Sequence, residues 1–135
     1  MTRKLSVMIL DDEPIVGKRL KPALEKIGCE VTVFVNPKDA LAALDAGPFD
    51  IVVTDIRMDE IDGMQILERV MGTHPETKVI MITGYAMMSL AREAMAAGAF
   101  DFISKPFKPD DLRRVIANAA KALGASVDFD VVNVG

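Results

Sequence analysis

Short apolar runs alternate along the chain with longer stretches in which apolar residues recur at helical spacing, and each change of period marks a predicted element. Residues 5–10 form a largely apolar run that stops at Asp11 and Asp12, which predicts a strand ending in carboxylates. Pro14 then opens a helix in which Ile15, Val16, Leu20, Ala23, Leu24 and Ile27 share a face. Pro22 interrupts that pattern and, having no N–H, is expected to cost an internal hydrogen bond or to bend the helix. Gly28 ends the helix, and residues 30–35 supply a β-branched and aromatic strand. Asn36 and Pro37 read as a cap and a first-turn proline, leading into a helix with Ala40, Leu41 and Leu44 inward. Residues 51–54 are apolar on both sides, as expected of a strand covered by helices on both faces. Beyond the loop from Asp55, a helix carries Met64, Leu67, Val70 and Met71. Residues 78–82 predict a fourth strand, 87–97 a fourth helix, 100–103 a short fifth strand and 109–123 a final helix.

Five βα units in this order predict an α/β fold with a mainly parallel sheet, because adjacent parallel strands need long right-handed crossovers. The first strand–helix turn separates this fold from a dinucleotide-binding one. Leu10, Asp11, Asp12 and Glu13 stand where a Gly-x-Gly-x-x-Gly turn would be, and a carboxylate pair there repels a pyrophosphate unless a metal intervenes. Residues 124–135 differ in kind. Gly124 is expected to release the last helix, and Val127, Phe129, Val131 and Val134 are spaced by small or acidic residues. They read as a C-terminal tail or truncated linker, favoured here over an edge strand because no helix follows to cover another strand. The expected organisation is one domain over residues 4–123 and a tail over 124–135.

The 135 residues are enough for one core with helices on both sides of a sheet. A hydrophobic fraction of 50% against 27% charged residues argues for a globular chain rather than a disordered one. Apolar stretches are far short of the roughly 20 residues that cross a bilayer, and the opening run meets acidic residues too soon for a secretory signal. No membrane association and a cytoplasmic location are therefore expected. A net charge of -4 disfavours direct nucleic-acid binding, since Lys18, Arg19 and Lys21 form only a local basic group. Cys29 is the only cysteine, so no internal disulfide is possible, and it reads as a small apolar filler near the start of a strand.

In a doubly wound sheet, reactive groups gather beyond the carboxyl ends of the strands. There the first strand places Asp11 and Asp12, the third Asp55, the fourth Thr83 and the fifth Lys105. Each has a plain structural reading by itself: a helix cap, a loop acid, a turn hydroxyl, a surface lysine before a helix. Their coincidence at one end of the sheet points to chemistry. Clustered carboxylates repel, and burying them unpaired destabilises the fold or raises their pKa values. A hard divalent cation, Mg2+ above all, accepts oxygen ligands from Asp11 or Asp12 and from Asp55, and Lys105 adds a compact charge on a flexible stem. Zinc is not expected, because His74 and Cys29 are the only residues of their types. An Asp beside a metal and a lysine is suited to attack phosphorus and form an acyl phosphate, with the Thr83 hydroxyl donating to a phosphoryl oxygen. The added charge, roughly -1.5 to -2, is large enough to rearrange the Thr83 loop and the following helix.

The segments VMILDDE, IVVTDIRMDEIDG, VIMITGYA, EAMAAGAFDF and ISKPF, in this order and spacing, resemble the receiver domain of bacterial two-component response regulators over about residues 4–123. The resemblance implies a flavodoxin-like receiver fold, with a five-stranded parallel sheet in order 2-1-3-4-5 and five flanking helices. It implies phosphoryl transfer from a phosphohistidine on a sensor histidine kinase or phosphotransfer protein. The family's acidic pair falls on Asp11 and Asp12, its phosphoacceptor on Asp55, its metal-binding carbonyl on Arg57, its switch hydroxyl on Thr83 and its lysine on Lys105. The switch aromatic falls on Phe102, and Pro106 stands where a proline usually follows a cis peptide bond. Asp59 replaces the family's usual proline, removing a φ restraint and adding charge four residues after the acceptor. By the same resemblance Arg57 and Tyr85 flank the path of a hydrolytic water, and this bulky pair implies slow autodephosphorylation. Such a domain catalyses only its own phosphorylation and dephosphorylation. A turnover phosphatase of the haloacid-dehalogenase type would carry an acid where this chain has Arg57.

The fourth helix, MMSLAREAMAA, is apolar nearly all round, with Arg92 and Glu93 as its charges. Either Ala and Met serve there as helix formers at half-exposed sites, or the face is covered by a partner. Receivers commonly use this surface, so phosphorylation-dependent self-association through residues 87–121 is expected. The segment AMAAGAFDFISKPF is similar to receivers that precede ATPase-type transcription activators.

Overall fold

A computed structural model describes residues 4–58, 61–84 and 88–125. Its elements alternate strictly: β1 (Leu5–Leu10), α1 (Pro14–Glu25), β2 (Cys29–Phe34), α2 (Pro37–Ala46), β3 (Ile51–Asp55), α3 (Gly63–Thr73), β4 (Lys78–Thr83), α4 (Met88–Ala96), β5 (Asp101–Ser104) and α5 (Pro109–Ala122). The five strands are parallel in the order β2-β1-β3-β4-β5. That order places the reversal of winding between β1 and β3, where a crevice opens beyond the strand ends.

The period-2 alternation of each strand feeds two cores. Val7, Ile9, Ile51, Val53, Ile80 and Ile82 face α1 and α5, meeting Leu20, Leu24, Leu112 and Ile116. Met8, Leu10, Val52, Val79 and Met81 face the other way, against Leu44, Ile66, Leu67, Val70, Ala91 and Ala94. All five residues of β3 are buried, as a central strand covered on both faces requires. Cys29 is buried at the start of β2, and that burial, with Asp50 nearby, pushes its thiol up to about 11.

Several boundaries differ from the sequence pattern by a residue. β2 begins at Cys29 because Gly28, at φ 94, completes the turn immediately before it. β5 begins at Asp101, since the preceding turn runs through Gly98 at φ 113, and Ala99 N–H reaches back to the Ala94 carbonyl (2.9 Å). Pro22 does lie inside α1, as expected, but at an exposed position one turn from the end, and Lys18, whose carbonyl loses its donor, is exposed too. α5 ends as the sequence suggests. Gly124 takes φ 75, its N–H bonds to Lys121 O (3.0 Å), and Ala125 N–H bonds to Ala120 O (2.8 Å). Leu123 and Ala125 then line a shallow cavity with Phe49, His74 and Thr77, at the end of the sheet where β3 and β4 begin. The alternatives for the tail fall on residues 126–135, outside the described residues. No helix among the described residues is long and apolar enough to cross a membrane.

Candidate functional site

Strand register brings the acids together. Leu10 pairs with Thr54, so the residues that follow them, Asp11 and Asp55, emerge side by side from β1 and β3. Thr83 pairs with Ser104, so Lys105 follows directly beyond the end of β4, and its N–H donates to Thr83 O at 2.8 Å. The next peptide, Lys105-Pro106, is cis, as the resemblance implied.

The Lys105 ammonium lies 3.2 Å from Asp55 Oδ2, 3.2 Å from Asp11 Oδ2 and 3.3 Å from Glu13 Oε1. Asp11 is 1% exposed and Asp55 9%, while Asp12 is exposed at the rim. Asp11 Oδ1 accepts the Glu13 N–H (2.9 Å), and Asp55 Oδ1 accepts the Arg57 N–H (3.2 Å). Asp11 Oδ2 is buried and accepts no aligned hydrogen bond, since Lys105 approaches it within ion-pair distance but off axis. Burial raises the Asp11 carboxyl above its usual range, and the neighbouring Asp55 charge adds to this, against the opposing pull of the Glu13 amide and Lys105. Burial alone would lower the Lys105 ammonium. Asp55 and Asp11 outweigh it and hold the group protonated well above its usual range.

Oxygen atoms of Asp11, Asp12 and Asp55 lie within 4.8 Å of one another. One amine offsets only part of this charge. A buried carboxylate oxygen with no aligned hydrogen bond, in an all-oxygen set, fits a hard divalent cation of the Mg2+ kind. Thr83 is buried at the end of β4, its hydroxyl donating to the Gly84 carbonyl (3.0 Å). Phe102 is half-buried in β5, packed against the core on the α3 and α4 side. Arg57 is exposed just after the acceptor strand. Tyr85 and Asp59 lie outside the described residues.

The structure therefore gathers Asp11, Asp12, Asp55, Thr83 and Lys105 at one end of the sheet, and leaves Phe102 on the β5 face. Glu13 is an addition: its carboxylate shares Lys105 with the two buried acids. Its place in the run Asp11, Asp12, Glu13 was the only hint in the sequence, because the turn that aims it at Lys105 is tertiary.

Residues 7–117 match the response regulator receiver domain family. The chain is 35% identical over 114 residues to the response regulator protein PilR of Pseudomonas aeruginosa, an overlap of 84% of this chain and 26% of PilR. It is 37% identical over 121 residues to the transcriptional regulatory protein FixJ of Bradyrhizobium diazoefficiens, covering 90% of this chain and 59% of FixJ. The crystal structure of a CheY-like response regulator receiver domain protein from Methanospirillum hungatei superimposes with a TM-score of 0.85 at 29% identity, covering 90% of this chain and 98% of that one. The chain thus spans about a quarter of PilR and somewhat over half of FixJ.

Proposed function

The chain belongs to the response-regulator receiver family, and from that premise we propose that it is a phosphorylation switch whose acceptor is Asp55. The observation that carries this reading is the convergence of Asp55 and Asp11 on one ammonium, with Lys105 Nζ 3.2 Å from each. An Asp55 carboxylate oxygen attacks the phosphorus of a phosphohistidine on a sensor kinase or phosphotransfer protein. The O–P bond forms, the P–N bond breaks, and the imidazole leaves and takes up a proton. Asp11, Asp12 and Asp55, with the Arg57 carbonyl, are the groups to hold Mg2+, whose charge when bound offsets that of the phosphoryl oxygens. Lys105 already faces the acceptor and shifts its contact from the Asp55 carboxylate to a phosphoryl oxygen. Thr83 turns its hydroxyl from the Gly84 carbonyl to another, and Phe102 follows on the adjacent strand. Arg57 and Tyr85 shield the acyl phosphate from water, which makes autodephosphorylation slow.

A partner needs a surface beside the acceptor. Ile15, 58% exposed, lines with Arg19, Pro106 and Phe107 a depression of about 370 Å3 that also reaches Lys105. This suits docking of the phosphohistidine-bearing protein. The output surface is α4, β5 and α5, through which two phosphorylated copies pair. The chain acts as a cytoplasmic receiver over residues 4–123, with a tail or linker over 124–135, of the kind found in ATPase-type transcription activators, and it does not itself bind nucleic acid.

Incubation with Mg2+ and acetyl phosphate followed by intact mass measurement tests the acceptor. One added phosphoryl group is expected on the unaltered chain and none on Asp55→Asn. A gain that persists in Asp55→Asn, or none on either chain, overturns the reading.

A further inference from the structure

Gly63 opens α3 directly against the end of the acceptor strand. A Cβ built at this position would lie 2.3 Å from the Asp55 carbonyl oxygen and 2.8 Å from Ile56 Cα. Both are backbone atoms with nowhere to go. The Ile56 N–H is tied to Ile82 O at 3.0 Å, and the Asp55 carbonyl already accepts the Thr54 hydroxyl at 3.0 Å. The Gly63 N–H in turn donates to Ile56 O at 2.7 Å, tying the start of α3 to the residue that follows the acceptor strand. On the helix side, Asp62 Oδ1 accepts the Gln65 N–H (3.0 Å) and Gln65 Oε1 accepts the Asp62 N–H (2.9 Å), a reciprocal cap that fixes where α3 begins. Arg57 follows directly on that anchored peptide, and its N–H holds Asp55 Oδ1.

We infer that Gly63 is a positioning residue: its missing side chain seats α3 on the peptide joining Asp55 and Ile56, and so sets where the acceptor carboxylate and the Arg57 carbonyl stand relative to Asp11 and Asp12. The inference rests on the reading of Asp55 as phosphoacceptor. Even a methyl group forces the helix back by about 1 Å to reach ordinary van der Waals distance. A displacement of that size at a reacting centre costs on the order of 100-fold in rate, and loss of support behind a metal ligand costs roughly 10- to 100-fold in affinity.

The test compares Gly63→Ala with Gly98→Ala. The latter strains a residue at φ 113 and presses a Cβ to 2.8 Å from Met71 Sδ, in the turn after α4, so it serves as a control for lost stability. Mg2+ affinity is read by calorimetry and acceptor chemistry by the rate of mass gain from acetyl phosphate. Gly63→Ala is expected to weaken Mg2+ binding and slow phosphorylation at least tenfold, with Gly98→Ala within twofold of the unaltered chain in both. Values within twofold for Gly63→Ala overturn the inference, as do equal losses in the two variants. An unaltered chain that gains no phosphoryl group overturns the acceptor reading instead. If Gly63→Ala does not fold, the Gly63 amide of the unaltered chain is followed by NMR during a Mg2+ titration. A shift with the same midpoint as Arg57 supports the inference, and a silent Gly63 overturns it.

Discussion

Asp11 carries a charge that its surroundings do not fully support. Its raised pKa means that the ionised form is held less well in the folded site than in water, even with Lys105 at 3.2 Å. A neutral amide of the same shape keeps the oxygen that accepts the Glu13 N–H and removes the repulsion from Asp55. Asp11→Asn is therefore expected to raise the Tm of the metal-free protein. Mg2+ is expected to raise the Tm of the unaltered chain by mass action, and the same substitution to abolish that rise. A lower metal-free Tm would mean that the contact with Lys105 outweighs burial. At this scale the sequence was informative where chemistry and strand ends coincide: Asp11, Asp12, Asp55, Thr83 and Lys105 each follow or close an apolar run. Glu13 and Gly63 were less legible. Their parts depend on which atoms lie opposite them, and residue type alone does not say.

The elements were readable because each change of hydrophobic period coincides with a Gly, Pro or Asp that stops one backbone conformation and permits the next. Only edges slipped: β2 and β5 are displaced by a residue beside positive-φ glycines, and β3 and β4 each run one residue further, to Asp55 and Thr83. Pro22 is the exception inside an element. The helix around it is also held by the packing of Leu20 and Leu24 on the sheet. Pro22→Ala restores a donor toward the Lys18 carbonyl and is expected to raise stability by about 1–2 kcal/mol, less than the full interior penalty because Pro also restricts the unfolded chain. The check is a higher urea midpoint at unchanged m-value. An unchanged or lower midpoint would show that α1 already accommodates the ring without strain.

Two cores back to back make the sheet a stiff plate, so a charge added at Asp55 has little room to act within β3, which is buried along its whole length. On the proposed reading its effect passes sideways, along β4 and β5 and out to α4, whose Met95 is 39% exposed. Sedimentation of the chain with Mg2+ and beryllofluoride, a stable phosphoryl mimic, is expected to show a dimer where the unmodified chain is a monomer. A monomer in both states would remove α4, β5 and α5 as a phosphorylation-dependent pairing surface.

The last turn of α5 has a consequence for wiring. Leu123 and Ala125 sit beside Phe49, His74 and Thr77, at the pole of the sheet opposite the acidic cluster. A strand of six residues spans about 20 Å, so whatever is tethered past Ala125 starts roughly that far from the Asp55 carboxylate. A fluorophore or a fused module attached there leaves the acceptor mouth open to its donor. On the proposed reading of Asp55, a signal reaches such a module only along the flanks of the plate.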